Sequence, residues 1–374
     1  MKTRRIGIVG AGRMGWIRAQ SARAERGCRI VHVADTIPES AEALAKEVDC
    51  EAGKEWERLV ARPDVDAVVV ATPHKSLAPI TIGALRAGKH IFSEKPMART
   101  VAEADEVLTC HRSNPQVLTV GFTLRHHPAI ARARALLQEG AIGEPFYVRG
   151  SYGHGGRPGY EGEWRADQEL AGGGEMLDQG IHLIDLSRCF LGEFREVSGL
   201  AATFFRGMPG ATEVRTVGGG KPTLKTMPSC CPGPGADGWC PCTPAGPSGR
   251  TDSPSRCSGG RVPGRRWAGG SYGLERLTRW RRAGNGGRPQ LEDLAFGGAV
   301  PGECSPSVDE VWSREWAGFR ASVLTRQASG RDAGHPASAG RAMACAGGAD
   351  ARQALRIVRA VYEMPARAMS ELSD

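Results

Sequence analysis

The stretch "RRIGIVGAGRMGWIRAQSARA" at residues 4–24 limits what this chain can fold into more than any other. A short apolar run (Ile6, Ile8, Val9) leads into a glycine turn and then into helix-compatible residues, which is the context a G-x-G-x-x-G pattern requires before it carries meaning. Gly10 allows the tight turn, Gly12 lets a pyrophosphate approach the backbone, and Gly15 lets helix and strand pack closely. Arg13 and Met14 complete the loop that would lie along the phosphates, at a helix N-terminus whose N–H groups are unpaired. A second strand, "CRIVHVAD", ends at Asp35, twenty residues after Gly15. A carboxylate there accepts hydrogen bonds from ribose hydroxyls and repels a 2′-phosphate, so the spacing favours NAD over NADP.

The alternation then continues. "SAEALAKEV" reads as a helix, "VDAVVVATP" as an apolar strand, "LAPITIGALRAG" as a helix closed by Gly88, "KHIFSEKP" as a strand, "VAEADEVLTCHR" as a helix and "QVLTVGF" as a strand. Strands that are apolar on both faces and separated by amphipathic helices specify a doubly wound parallel sheet. Ligands of such sheets bind at the carboxyl ends of the strands, where "ATPH" (Thr72, Pro73, His74) and "EKP" (Glu94, Lys95, Pro96) fall. His74 serves equally well as a helix-start residue, and Lys95 taken alone reads equally well as a solvent-facing strand end.

A second motif, "GGGEMLDQGIH" at residues 172–182, places Asp178 and His182 four apart, on one face if helical. Its glycines allow a helix to begin tight against another backbone or a ligand. Alone, such a pair reads as an ordinary helix hydrogen bond; beside Lys95 and a dinucleotide fold it reads as chemistry.

The two stretches "ATPHKSLAPITIGALRAGKHIFSEKPMARTVAEADEVL" and "GGGEMLDQGIHLIDL" resemble the two signatures of the Gfo/Idh/MocA family of NAD(P)-dependent oxidoreductases, in the family's order, with the likeness running over about residues 4–206. The resemblance implies an N-terminal Rossmann domain, placed at 1–123. It also implies an α+β substrate domain on an open, mostly antiparallel sheet, placed at 124–374. It further implies a cis Lys95–Pro96 bond, a catalytic trio of Lys95, Asp178 and His182, and pairing of copies through the open face of the second sheet. The expected reaction is hydride transfer between a nicotinamide and a secondary hydroxyl or ketone of a sugar, sugar nucleotide or cyclitol. The arginine-, alanine- and glycine-rich composition of a high-GC genome admits an antibiotic-sugar or aminocyclitol pathway. His182, whose unperturbed pKa lies near neutrality, is the candidate base; Asp178 would orient substrate or stabilise imidazolium, and Lys95 would hydrogen-bond the reacting oxygen. The alternative is a non-catalytic or inactivated dinucleotide-binding protein, a sensor needing the glycines and Asp35 but no proton-transfer trio.

Between the motifs, Arg125 and His126 follow the last Rossmann strand, where a substrate hydroxyl or phosphate could be met. The loop from Tyr152 to Arg165, with Trp164, has the side chains to stack on and hydrogen-bond a polyhydroxylated ring, or it is an ordinary surface loop.

Other classes are disfavoured. The length suits two domains, since single cores stop growing near roughly 250–300 residues. The net charge of +8 invites nucleic acid. Residues 207–268, however, hold eight Lys or Arg against three acids, with no periodic basic face or nucleic-acid module. No stretch approaches the about 20 apolar residues of a membrane helix, and Arg13 interrupts "IGIVGAG", so the reading is a soluble cytoplasmic protein. Five of the eleven cysteines (Cys230, Cys231, Cys240, Cys242, Cys257) crowd the same odd segment without the paired C-x-x-C units of a zinc site, so no metal is expected. That segment has no Ile, Phe or Tyr and only Leu224, Val214, Val217 and Val262 as branched aliphatics, a composition that reads as coil. It matches a GC-rich gene read out of frame between two compensating shifts, and residues 335–349 show the same composition over a shorter span. The substrate-domain sheet is therefore expected to be disrupted after about residue 206, and with it the surface through which copies would pair.

Overall fold

The computed structural model describes residues 4–152, 162–199, 255–257, 262–265, 275–281, 290–296, 308–329 and 345–363. They fall into two compact units, the first comprising Met1–Ala135 and Phe296–Gln353, the second Leu136–Ala295 and Ala354–Asp374.

The first unit alternates strand and helix: β1 (Arg4–Val9), α1 (Arg13–Ala24), β2 (Cys28–Ala34), α2 (Pro38–Val48), β3 (Glu51–Gly53), α3 (Trp56–Ala61), β4 (Ala67–Val70), α4 (His74–Arg86), β5 (His90–Glu94), α5 (Val101–Ser113) and β6 (Leu118–Gly121). Local chemistry starts the helices. Pro38 opens α2 at the position where a missing N–H costs nothing, and Thr100 accepts the Glu103 N–H at 3.1 Å to cap α5. Parallel pairing gives the order β6-β5-β4-β1-β2-β3, with Ile6, Gly7, Ile8 and Val9 of β1 opposite Ala67, Val68, Val69 and Val70 of β4. The order reverses between β1 and β4, the switch point at which open α/β sheets bind ligands. All of β4 and β5 is buried because helices cover both faces of the sheet.

Two later segments join this unit without a local signal for it. β12 (Ala346–Gly347) lies antiparallel to β6 as a seventh strand. Helix α9 (Val308–Ser329) places Trp316 and Phe319 against Phe92 of β5, with ring centroids 5.9 and 5.6 Å away. Its Arg320 pairs with Glu25 at 2.8 Å. Residues 345–349, the tail of the second compositionally odd span, thus form a buried strand and the start of a helix.

In the second unit, α6 (Pro128–Gln138) begins in the first unit and ends here. It is followed by β7 (Val148–Arg149), α7 (Gln168–Ala171), a π-turn over Met176–Gly180, and α8 (Ile181–Leu191). The strand after α6 is confined to two residues. β7 pairs antiparallel with β8 (Ser255–Cys257), and β8 with β9 (Val262–Arg265). These two strands stand where composition reads as coil, because antiparallel pairing uses backbone N–H and C=O groups, which every non-proline residue carries. The rest of 207–268 and residues 335–344 lie outside the described residues, as do Cys230, Cys231, Cys240 and Cys242. Strands β10 (Glu275–Arg281) and β11 (Gln290–Phe296) pair with each other, and α10 (Gly348–Tyr362) begins in the first unit and ends in the second. No helix among the described residues is long and apolar enough to cross a membrane.

One buried histidine makes the first unit acid-sensitive. His90 Nδ1 accepts the Val117 N–H at 3.2 Å, and burial together with nearby Arg4 and Arg326 pushes its pKa down to about 4. A depressed histidine pKa contributes stability that is present above the unfolded value and is lost as pH falls toward the folded one. By pH 4.5 that loss amounts to about 2–3 kcal/mol. His90→Asn keeps an acceptor for Val117 and removes the titration. The fall in thermal midpoint between pH 7 and 4.5 is expected to be visibly smaller in the variant, and identical falls would exclude His90 as the cause.

Candidate active site

The glycine loop of the first unit leaves room where a dinucleotide needs it and none elsewhere. A Cβ on Gly10, whose φ is +99°, would stand 2.5 Å from the Ala71 carbonyl oxygen, and one on Gly15 would stand 2.0 Å from the Gly10 oxygen. A Cβ on Gly12 would meet nothing within 4 Å. Gly12 also caps α1 without a side chain, and the first turn holds no acidic residue. An open approach, a bare helix start and a first turn without an acidic residue fit a diphosphate. Arg13 is exposed and Met14 half-buried at this turn.

Asp35 is held by the backbone on both sides. Its Oδ2 accepts the Ala11 N–H at 2.6 Å and its Oδ1 the Ile37 N–H at 2.9 Å, which fixes a half-buried carboxylate beside the glycine loop. At the end of β4, Thr72 Oγ1 is buried with no hydrogen-bond partner among the described residues, and a cofactor hydroxyl or amide would satisfy it. Pro73 is half-buried, while His74 is buried at the start of α4.

β5 ends in Glu94, Lys95 and a cis bond to Pro96; Met97 N–H returns to the Glu94 carbonyl at 3.1 Å, closing a tight turn. Lys95 is half-buried. Glu94 is engaged from below: Arg18 of α1 donates to its Oε1 at 2.6 Å and to Glu315 Oε2 of α9 at 2.7 Å. Thr123 Oγ1 closes the cluster by donating to Glu315 at 2.8 Å. Arg18 is wholly buried, with its guanidinium 4.4 Å from the Phe92 ring centroid. Burial opposes its charge, yet Glu315 and Glu94 outweigh that and raise its pKa. Arg125 is buried as well; its guanidinium lies 3.5 Å from Asp350 and 5.9 Å from the Phe122 ring centroid. Burial, with Arg125, Arg18 and Arg314 nearby, pushes the pKa of His126 down to about 3, so it is neutral in physiological conditions.

The second unit brings together the residues of the glycine-rich motif. Asp178 lies within the π-turn and His182 in the first turn of α8, both buried. Asp178 Oδ2 accepts from Arg165 Nε at 3.1 Å and from Gln179 Nε2 at 3.1 Å. Arg165 sits on a short 3-10 turn (Trp164–Ala166), stacked over the Trp164 ring at 4.5 Å from its centroid. The Tyr152 ring meets the His182 imidazole edge-on, with centroids 5.9 Å apart. Tyr152, Trp164, Arg165, Asp178 and His182 therefore share one cluster. Residues 153–161 of the expected substrate loop lie outside the described residues.

Gly173 of this motif faces protein. A Cβ on Gly173 would stand 2.9 Å from Tyr362 Cε2 and 3.0 Å from Leu177 Cβ, and Arg359 donates to the Gly172 carbonyl at 2.9 Å. Neither Tyr362 nor Arg359 is marked by its local sequence, an amphipathic helix like many others. Arg18 and Glu315 carry a faint signal: Arg18 shares the buried face of α1 with Gly15, Ala19 and Ala22, where a lone charge demands a partner.

A doubly wound sheet with a glycine cradle, a fixed Asp35 and a lysine at the end of β5 defines an NAD-binding Rossmann domain of the oxidoreductase type. Residues 4–122 match the family described as "Oxidoreductase family, NAD-binding Rossmann fold", and residues 130–219 match "GFO/IDH/MocA C-terminal domain", together more than half of the chain. The chain belongs to the Gfo/Idh/MocA oxidoreductase family.

Among curated proteins, levoglucosan dehydrogenase of Pseudarthrobacter phenanthrenivorans is 35% identical over 196 residues, 50% of each chain. Inositol 2-dehydrogenase of Rhizobium meliloti is 34% identical over 191 residues, 51% of this chain and 56% of the relative. A dTDP-3,4-didehydro-2,6-dideoxy-alpha-D-glucose 3-reductase of Streptomyces violaceoruber is 33% identical over 196 residues, 52% and 56% of the two chains. The chain spans about half the length of the curated relatives it matches. In fold, levoglucosan dehydrogenase in complex with NADH superposes with a TM-score of 0.78 at 23% identity, covering 97% of this chain and 96% of that one. A 3-ketoreductase from Actinomadura kijaniata in complex with NADP superposes at 0.72 with 21% identity, covering 96% and 97%.

Proposed function

We propose that the protein is an NAD-dependent dehydrogenase or ketoreductase acting on a secondary hydroxyl or ketone of a sugar, sugar nucleotide or cyclitol. The observation that carries this reading is the buried Asp178 and His182, four residues apart across the π-turn and the start of α8, in a chain whose NAD-binding unit carries Lys95 directly after β5. A protein that merely held the cofactor would have no use for a desolvated acid and imidazole so close in sequence. The relatives named above act on compounds of this class, which supports the substrate assignment.

Bound NAD supplies the hydride acceptor. His182 takes the hydroxyl proton onto a ring nitrogen as the carbon gives up hydride, and returns it in the reverse direction. Asp178, held by Arg165 and Gln179, offers a fixed carboxylate that orients the substrate hydroxyls and stabilises the imidazolium. Lys95 Nζ donates to the reacting oxygen and offsets the negative charge that develops there. Trp164 and Tyr152 supply flat faces for a polyhydroxylated ring. We place the enzyme in the cytoplasm, a reading supported by cysteines scattered singly in the first unit.

The assay is NADH formation with NAD and a panel of inositols, aldoses and nucleotide sugars. Turnover on at least one member is the expected result; tight cofactor binding with no turnover on any of them contradicts the reading. Cofactor choice tests Asp35 in the same assay. Asp35→Ala removes the charge that repels a 2′-phosphate, and the preference for NAD over NADP is expected to fall by about ten- to a hundredfold, the range of one or two charge-assisted hydrogen bonds. An unchanged ratio of kcat/KM for the two cofactors would place selectivity elsewhere.

A further inference from the structure

We propose that Tyr362, on the last turn of α10, is a positioning residue that holds the π-turn bearing Asp178, and through it the start of α8 bearing His182, an inference that rests on the proposed function above. Its hydroxyl oxygen accepts the Gly174 N–H at 3.1 Å and the Leu177 N–H at 3.3 Å. The first N–H groups of a helical segment have no partner within it, and a polar side chain normally supplied from just upstream caps them. Here Glu175, at the cap position, gives no capping side-chain bond, and the three residues before it are glycines at 172–174, which have no side chain to give; the cap comes from 188 residues downstream of Gly174. Leu177 N–H is shared, donating to the Gly174 carbonyl at 2.9 Å and to the tyrosine.

The contact is shaped as well as bonded. With the Tyr362 ring 2.9 Å from where a Gly173 Cβ would stand, only glycine lets the ring lie against the backbone. One turn earlier on α10, Arg359 grips the Gly172 carbonyl, so two side chains of one helix hold both ends of the glycine run. Burial pushes the Tyr362 hydroxyl up to about 12, keeping it a neutral phenol throughout the range in which the enzyme would work. What Gly173 makes room for is thus the tyrosine. The tyrosine sets the start of the π-turn, and the turn sets the direction of Asp178 one residue past Leu177 and of His182 four residues further.

The test is Tyr362→Phe, which removes one oxygen and keeps the ring. Amide hydrogen exchange on the free full-length protein, resolved to residues 172–182, is read beside steady-state kinetics on the substrate panel. Exchange at Gly174 and Leu177 is expected to rise about tenfold and the rise to extend through Asp178 to His182, with kcat lowered about tenfold and KM within twofold. Unchanged exchange overturns the proposal whatever the kinetics. Faster exchange confined to Gly174 and Leu177, or spreading to His182 with kcat unaltered, also overturns it, since the hydroxyl would then be a structural cap alone. If wild-type protein turns over no member of the panel, the proposed function fails separately, and the reach of the exchange through Asp178 and His182 decides the positioning role by itself.

Discussion

Arg18→Met is expected to destabilise the NAD-binding unit by about 3–5 kcal/mol, enough to remove most of the stability of an ordinary domain. Two carboxylates, Glu94 and Glu315, face a guanidinium that is wholly buried, at 2.6 and 2.7 Å. Replacing Arg18 with an apolar side chain of similar length leaves both carboxylates desolvated and without their cation. Each must then take up a proton, draw in water or force the strand end apart. Arg18→Met combined with Glu94→Gln and Glu315→Gln removes the uncompensated charge, and is expected to recover a substantial part of the loss, because a buried ion cluster contributes little net stability once its charges are removed together. Urea unfolding followed by far-ultraviolet circular dichroism measures both variants. A loss below about 1 kcal/mol for the single variant would show that the cluster is far more hydrated than its burial indicates.

Lys95→Ala and His182→Ala are expected to lower kcat by about 10²- to 10⁴-fold each, with NADH binding to the free protein unchanged within a few fold. Lys95 follows the last residue of β5, Glu94, which Arg18 anchors at 2.6 Å. His182 is buried on the first turn of α8, against the Tyr152 ring. Because neither residue belongs to the glycine cradle that fits the diphosphate, loss of turnover without loss of cofactor affinity separates chemistry from binding. The double variant is expected to be scarcely worse than either single one, since groups acting in one proton-transfer step do not add.

The parts legible in the sequence are those whose signal is local. The strand before Gly10, the turn at Gly10–Gly15 and the acid at Asp35 sit within one unit of about 30 residues, and each states its own requirement in residue type. The fully apolar "AVVV" announced a central strand, and "EKP" announced a strand end. The parts that were not legible depend on residues distant in sequence. Nothing in "WSREWAGFRASVL" reveals that Trp316 and Phe319 pack on Phe92, or that Glu315 answers Arg18 across almost 300 residues. Nor do the glycines at 172–174 disclose their neighbour: the requirement for close approach is evident, but the sequence alone allowed a ligand where the structure places Tyr362. The strands at Ser255–Cys257 and Val262–Arg265 escaped because edge pairing draws on backbone groups that every composition shares. Asp178 and His182 were expected on one helical face; they sit on a π-turn and on the helix that follows it, a local widening that no residue type in the motif announces.

A family cradle for NAD and the proposed trio of Lys95, Asp178 and His182 are expected to work together in this one chain. The most direct test is NADH formation by the full-length protein, supplied with NAD and the inositol, aldose and nucleotide-sugar panel, beside Lys95→Ala prepared in parallel. Turnover of at least one polyol by the wild type is expected, with its loss by at least a hundredfold in the variant. Equal rates for the two proteins, or NADH binding by both with turnover by neither, would contradict it.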